Sequence, residues 1–220
     1  MAMNIDLARH NMIEQQIRTW EVLDPTVLDV LATVRREDFV PVAHRRLAFA
    51  DTMIPLNDNE VMMKPVVEGR MLQALAVRSH ERILEIGTGS GYITACLSRM
   101  ARAVTSVEID TELSAAAGAR LSASGIDNVE LIVADACSTQ WQPESQVDVV
   151  VLTGGVYQLP ELMRNWVKPG GRLFAISGAH PVMDATIHQR VSQEQWRATV
   201  AFETDLPYLR GAEQPQRFDF

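Results

Sequence analysis

LEIGTGSGY occupies residues 84–92, between an apolar run that reads as a strand and a segment with helical spacing. Glycines at 87, 89 and 91 remove Cβ atoms where a strand turns sharply into a helix, so the backbone can approach a ligand closely. A carboxylate or other anion can then rest on free N–H groups at the helix start. Taken alone the spacing is weak evidence, because any tight strand-to-helix turn uses glycine. Its weight comes from what surrounds it.

Working outward, short apolar runs alternate with helix-like segments. They are ILEI (83–86), a helix over 92–100, AVTSVEI (103–109), a helix over 112–122, VELIVA (129–134), VDVVVL (147–152), a helix near 160–167, and RLFAIS (172–177). Nearly continuous apolar strands separated by amphipathic helices predict a mostly parallel sheet covered on both faces, the doubly wound α/β arrangement. ATIHQRVSQ and WRATVAFETDLPYL read as two further strands joined near 193–195, an antiparallel hairpin at the sheet edge. The first 80 residues read as helical, with an amphipathic run over 7–20 and a second helix over 26–34 behind an Asp24–Pro25 start. The expectation is one domain over 1–220, with 1–80 as a helical layer and loop, and 81–220 as the α/β core.

Composition narrows the class. With 47% hydrophobic and 22% charged residues the chain reads as an ordinary globular protein. Its apolar runs are far shorter than the ~20 residues that span a bilayer, so no membrane role is expected. The start, MAMNIDLARHNMIEQQIR, mixes charge early and does not resemble a secretory signal. Cys96 and Cys137 offer neither a disulfide framework nor a metal pattern, and a cytoplasmic setting is the expectation. A net charge of -8 argues against a protein that holds nucleic acid by its phosphates.

Acidic residues accompany the glycine loop. Glu108 lies 21 residues after Gly87 at the end of the next strand-like run, where an acid can accept bonds from both ribose hydroxyls. Asp135 ends the third strand-like run, at the carboxyl edge where open sheets bind ligands. Glu85, two residues before the first glycine, suits a ligand with a cationic ammonium group and would repel a pyrophosphate. This favours S-adenosylmethionine over NAD. No constellation for hydride chemistry accompanies the loop.

LEIGTGSGY, VEID, NVELIVADA and VKPGGRL resemble the successive motifs of class I S-adenosylmethionine-dependent methyltransferases. Within that class the chain is similar to the protein-L-isoaspartate O-methyltransferase family, through MIEQQI (12–17), VLDPTVLDVLATVRREDFVP (22–41), LAFADTMIPL (47–56), VVLTGG (150–155) and TDLPYL (204–209). The resemblance implies a methyltransferase that uses S-adenosylmethionine and a protein or peptide substrate bearing an isoaspartyl residue. It implies that Glu85, Gly87, Gly89 and Gly91 line the methionine end of the cofactor. It further implies that Glu108 holds the ribose and that Asp135 with Ala136 meets the adenine, with Thr88 and Ile109 also among the cofactor-binding residues.

The likeness departs from its pattern at IPLNDNEVMMKP (54–65), where the family has LPIGxGQTISQP. Asn57 and Asn59 replace glycines, Glu60 replaces Gln, Val61 replaces Thr, and Met63 replaces a Ser that resembles a hydroxyl donor to the substrate carboxylate. Lys64 and Pro65 read as ending any regular element. Met63, Lys64 and Thr153 are the candidates on the acceptor side, with Lys64 read chiefly as a solvated side chain. The altered loop leaves open a different small-molecule or carboxylate acceptor, or a cofactor-binding protein with little catalysis. Cys137 reads as a small space-filling thiol, His180 and His188 have no acid or thiol at metal-ligand spacing, and the four tryptophans read as packing residues.

Overall fold

The computed structural model describes residues 4–57 and 59–215; Asp58 of the loop at 54–65 and the two ends of the 1–220 span lie outside the described residues. Helix α1 (Ile5–Met12) starts on Asn4, whose side chain accepts the Leu7 N–H, and continues as a π turn (Ile13–Ile17) and a 3-10 turn (Arg18–Trp20). Helix α2 (Pro25–Thr33) begins where Asp24 accepts the Thr26 N–H and Pro25 takes the first helical position, which needs no N–H. A short α3 (Arg36–Phe39) and a 3-10 turn (Val42–Leu47) follow. The loop at 54–65 then forms two small antiparallel strands, β1 (Ile54–Pro55) and β2 (Val61–Met62). Pro65 does not end regular structure there. It opens α4 (Pro65–Leu75), because its fixed φ suits the first helical position.

The remaining elements alternate as the sequence predicts: β3 (Arg82–Ile86), α5 (Tyr92–Met100), β4 (Ala103–Glu108), α6 (Thr111–Ala123), β5 (Val129–Val133), β6 (Val147–Val156), α7 (Glu161–Arg164), β7 (Val167–Ser177), β8 (Met183–Arg190) and β9 (Trp196–Thr204). They form one seven-stranded sheet in the order β5-β4-β3-β6-β7-β8-β9. The first five strands are parallel, and β8 and β9 make the expected antiparallel hairpin. The order reverses between β3 and β6, which puts a crevice at their carboxyl ends. Helix α7 is shorter than the sequence suggests, because Val167 is drawn into the sheet opposite Val147 and Trp166 is buried beneath it. No described helix is long and apolar enough to cross a membrane.

Side-chain alternation sorts the strands into two cores. Val149, Val151, Phe174 and Ile176 join the N-terminal helices, α4 and α5, whereas Val150, Leu152, Leu173 and Ala175 face Met163 and Trp166 on the other side. The first core runs from Met12 to Leu206, so the N-terminal layer shares its interior with the sheet.

A buried ion pair fixes that layer. Arg36 (α3) donates from Nε and Nη2 to both oxygens of Glu68 (α4), at 2.8 and 3.1 Å. Its Nη1 also reaches the Ala48 carbonyl at 2.6 Å, and its Nη2 the Met63 carbonyl at 2.7 Å. Both side chains are essentially inaccessible to water. Burial pushes the Glu68 carboxyl up while the forked guanidinium opposes that shift. Glu85, on the same face of β3 as Ile83, is buried beneath α5 and accepts hydroxyl bonds from Thr94 and Ser106, each at 2.6 Å, on one oxygen. Its other oxygen has no partner among the described residues, and burial pushes its carboxyl up to about 8.

Two stability measurements follow. Arg36→Ala strands a buried carboxyl and two carbonyls, so urea denaturation should show a loss of about 3–5 kcal/mol; a loss under about 1 kcal/mol would contradict the anchoring role. The Glu85 carboxyl holds its proton in the folded state up to about pH 8, whereas the unfolded chain releases it near its ordinary 4.5. The folded state therefore binds more protons across that window, and this group's contribution falls as pH rises from 4.5 to 8. Glu85→Gln should flatten the decline and raise stability at pH 8 by roughly 3–5 kcal/mol. An unchanged slope would refute it.

Candidate active site

The crevice between β3 and β6 opens into a cavity with about 870 Å3 of free space, its open mouth included. Its floor is the turn from β3 into α5. Gly87 and Gly89 adopt φ of 97° and 52°, a region that disfavours side chains, and a Cβ on Gly87 would lie 2.6 Å from the Thr153 hydroxyl oxygen. The Gly89 N–H donates to Glu108 Oε2 at 2.8 Å, while the Asp110 N–H donates to Glu108 Oε1 at 3.0 Å. Glu108 thus stands at the end of β4 with its carboxylate fixed against the loop and on the cavity wall. Thr88 shares a 2.6 Å hydroxyl contact with Ser106. At the end of β5, Asp135 Oδ1 accepts the N–H groups of Cys137 and Ser138, at 2.9 and 3.1 Å, which fixes its carboxylate beside Ala136 and Ile109 on the same wall.

The opposite wall comes from two distant segments. Leu56, Glu60, Val61, Met62 and Met63 form one side, and residues 206–210 form the other. The second segment is strapped to the sheet, with the Gly155 N–H donating to the Pro207 carbonyl at 2.8 Å and the Leu209 N–H to the Gly155 carbonyl at 2.7 Å. Arg210 closes the mouth, donating from Nε to Glu60 at 2.8 Å and from Nη2 to Asp110 at 3.2 Å. Among the described lining residues Arg210 is the basic one, against Glu60, Glu68, Glu108 and Asp135. Such a cavity suits a cationic ligand over a polyanionic one.

The cavity brings together Met63, Gly87, Thr88, Gly89, Glu108, Ile109, Asp135, Ala136 and Thr153. Four candidates lie outside the cavity or are engaged elsewhere. Glu85 does not line the cavity: strand alternation turns it under α5, where it is held as a neutral acid at pH 7. Gly91 does not line it either; at φ 85° it lets α5 pass close to α6, where a Cβ would sit 3.1 Å from that of Ala117. Lys64 faces a neighbouring groove. Thr153 lines the cavity, but its single hydroxyl proton is engaged by the Ile86 carbonyl at 2.9 Å and the Gly87 carbonyl. It therefore holds the loop and is not free for an acceptor.

Sequence reasoning missed Tyr92, Glu68 and Arg210, all of which line the cavity. Tyr92 and Glu68 face inward from helix starts, but Arg210 meets a Glu60 that lies 150 residues away, a pairing no local pattern carries. Cys137 sits on the wall with its thiol pushed up to about 11, by burial first and then by Asp135, which suits a space-filling role. His180 contacts Asp205, 25 residues further along the chain. Trp141 and Trp166 meet edge to face at 5.5 Å, as packing residues do, whereas Trp20 is exposed.

Comparison with known proteins gives a consistent result. The family described as Protein-L-isoaspartate(D-aspartate) O-methyltransferase matches residues 7–205. The chain is 34% identical over 211 residues to protein-L-isoaspartate O-methyltransferase 2 of Pelobacter propionicus, covering 96% of this chain and 93% of that one. It is 37% identical over 171 residues to protein-L-isoaspartate O-methyltransferase 1 of Rhodopseudomonas palustris, covering 78% and 69%. A Plasmodium falciparum protein of that description, solved with S-adenosyl-L-homocysteine, superposes with a TM-score of 0.79 at 16% identity, over 96% of this chain and 100% of that one, and so shares the fold. Matched by the family over nearly its whole length and by relatives at a third of positions, the chain belongs to the protein-L-isoaspartate(D-aspartate) O-methyltransferase family.

Proposed function

We infer that this chain is a methyltransferase that moves a methyl group from S-adenosylmethionine to the free carboxylate of L-isoaspartyl residues in damaged proteins. The observation that carries the reading is the cradle at the β3–α5 turn, where a side chain at Gly87 has no room and Glu108 is fixed beside the Gly89 N–H. When bound, the cofactor supplies an electrophilic methyl on a sulfonium. Gly87, Thr88 and Gly89 would run along its methionine end, Glu108 with Ile109 would take the ribose, and Asp135 with Ala136 would meet the adenine. A core shared between the N-terminal layer and the sheet supports treating 1–220 as one methyltransferase domain. Two unpaired cysteines support a cytoplasmic setting.

The chemistry asks little of the protein. A carboxylate with an ordinary pKa near ~4 is already ionised at neutral pH, so no general base is required. The bound cofactor would supply the methyl to the acceptor carboxylate and leave as a neutral thioether, so no proton has to be moved by the chain. What the chain contributes is alignment and exclusion of water. Leu56, Val61, Met62 and Met63 build an apolar wall for that purpose, held in place through the Met63 carbonyl on Arg36. That wall offers no hydroxyl to the acceptor. The absence favours, as a second reading, a methyltransferase of the same cofactor with another carboxylate or small-molecule acceptor.

Transfer of labelled methyl to an isoaspartyl peptide and to its normal aspartyl twin tests the function. The expected result is labelling of the isoaspartyl peptide alone; no labelling of either, with S-adenosylhomocysteine still bound, would overturn the acceptor and leave the second reading. A hydrogen bond to a charged group contributes about 1.5–3 kcal/mol, so Met63→Ser should raise kcat/KM on the isoaspartyl peptide roughly ten- to hundredfold. Because Met63 is buried, the variant should also lose about 2–5 kcal/mol of stability. Lower transfer with unchanged cofactor binding would show that the apolar wall itself serves the reaction.

A further inference from the structure

Arg210 joins three segments of the cavity rim. Its own segment is bonded to the sheet on both sides: the Leu209 N–H donates to the Gly155 carbonyl at 2.7 Å, and the Tyr157 N–H donates to the Ala212 carbonyl at 2.8 Å. From that fixed mount Nε donates to Glu60 Oε1 at 2.8 Å and Nη2 to Asp110 Oδ2 at 3.2 Å. Glu60 leads into the wall formed by Val61, Met62 and Met63. Asp110 caps α6, its Oδ1 accepting the Glu112 and Leu113 N–H groups at 2.9 and 3.1 Å.

Asp110 also bonds Glu108. The Asp110 N–H donates to Glu108 Oε1 at 3.0 Å, while the Gly89 N–H holds the other oxygen at 2.8 Å. An unbroken run of bonds therefore leads from Glu60 through Arg210 and Asp110 to Glu108 and the glycine turn. The guanidinium also lies between like charges. The Leu113 N–H first, and Arg210 after it, hold the Asp110 carboxyl below its ordinary value, so it is ionised at neutral pH. Take the guanidinium away, and two carboxylates face each other across the space it filled.

We propose that Arg210 is a positioning residue for the cofactor, clamping the wall at Glu60 to the ribose end at Asp110 and Glu108 against the mutual repulsion of the two carboxylates. The proposal rests on the reading of Glu108 as the ribose acid. Arg210 sets how closely the two walls approach across the bound cofactor and touches no reacting atom. Lysine in its place has one ammonium and no fork, so it would serve one carboxylate at a time. The effect of Glu60 then depends on Arg210. With the guanidinium present, the Glu60 carboxylate holds the clamp shut; without it, the same carboxylate repels Asp110 and holds the clamp open.

Calorimetric titration with S-adenosylhomocysteine reads the clamp without any methyl acceptor. The three side chains stand at the rim, Arg210 41% exposed and the carboxylates 20% and 22%, so the two ion pairs are modest and their removal leaves the fold intact. Arg210→Met should weaken binding about three- to tenfold, Arg210→Lys less, and Glu60→Gln about twofold. In the Arg210→Met background Glu60→Gln should instead tighten binding and recover about half of the loss. Raising the salt from about 0.05 M to about 0.5 M should narrow the gap between the unaltered protein and Arg210→Met, because attraction and repulsion at the rim are both screened. Equal affinity of the unaltered protein and Arg210→Met, or Glu60→Gln weakening both backgrounds alike, would overturn the clamp. Glu108→Ala separates it from the reading beneath it. If Glu108→Ala costs affinity and Arg210→Met does not, the clamp alone falls; if Glu108→Ala binds as tightly as the unaltered protein, the ribose reading falls and the clamp with it.

Discussion

Arg36 is the constraint on which the cavity wall built by residues 56–63 depends. A guanidinium has five N–H donors in a rigid fork, and here they are shared among both Glu68 oxygens and two backbone carbonyls. The four bonds tie α3 to α4, to the end of the 3-10 turn and to the Met63 backbone, with the Tyr92 ring 5.5 Å from the guanidinium carbon. A buried ion pair is weak evidence of net stabilisation, because two charges have been desolvated to make it. Its consequence here is positional. The loop that builds the cavity wall has little regular structure of its own, two strands of two residues each. The Arg36 bond to the Met63 carbonyl ties that loop to the helical layer, and the Arg210 bond to Glu60 ties its tip to the cavity mouth.

The cofactor half is fixed differently, by backbone bonds to side chains at strand ends. Glu108 accepts from Gly89 and Asp110, Thr153 donates to the carbonyls of residues 86 and 87, and the strap at 206–210 is laced to Gly155. Each contact pins a turn whose glycines could otherwise wander. Arg210 joins the halves through Glu60 and Asp110. Met63 stands on the cavity wall, and Arg36 holds its carbonyl.

Most of the fold is legible in the sequence because its central strands β3 and β6 are buried on both faces and read as apolar runs, and because the Asp24–Pro25 helix start is a local signal. The misses have local causes. Lys64–Pro65 was read as a stop when proline was opening a helix, and α7 lost its last residues to pairing between Val167 and Val147. In the site, Gly87, Gly89, Glu108 and Asp135 were legible because each lies at a strand end where the topology puts the crevice. Glu85 carries a charge that suits the ligand, but its strand face is the other one: one residue from Leu84 and Ile86, it turns to the opposite core. Arg210 is invisible in the sequence because its two partners lie 150 and 100 residues away along the chain.

The central claim is that an intact cofactor cradle faces an acceptor wall rebuilt in methionine. A crystal structure of the protein with S-adenosylhomocysteine tests it most directly. The account predicts the ribose hydroxyls on Glu108, the adenine beside Asp135 and Ala136, the sulfur turned toward Met63, and Glu85 still bonded to Thr94 and Ser106 beneath α5. A ligand bound away from Glu108, or Glu85 swung out to meet the ligand's ammonium group, would contradict it.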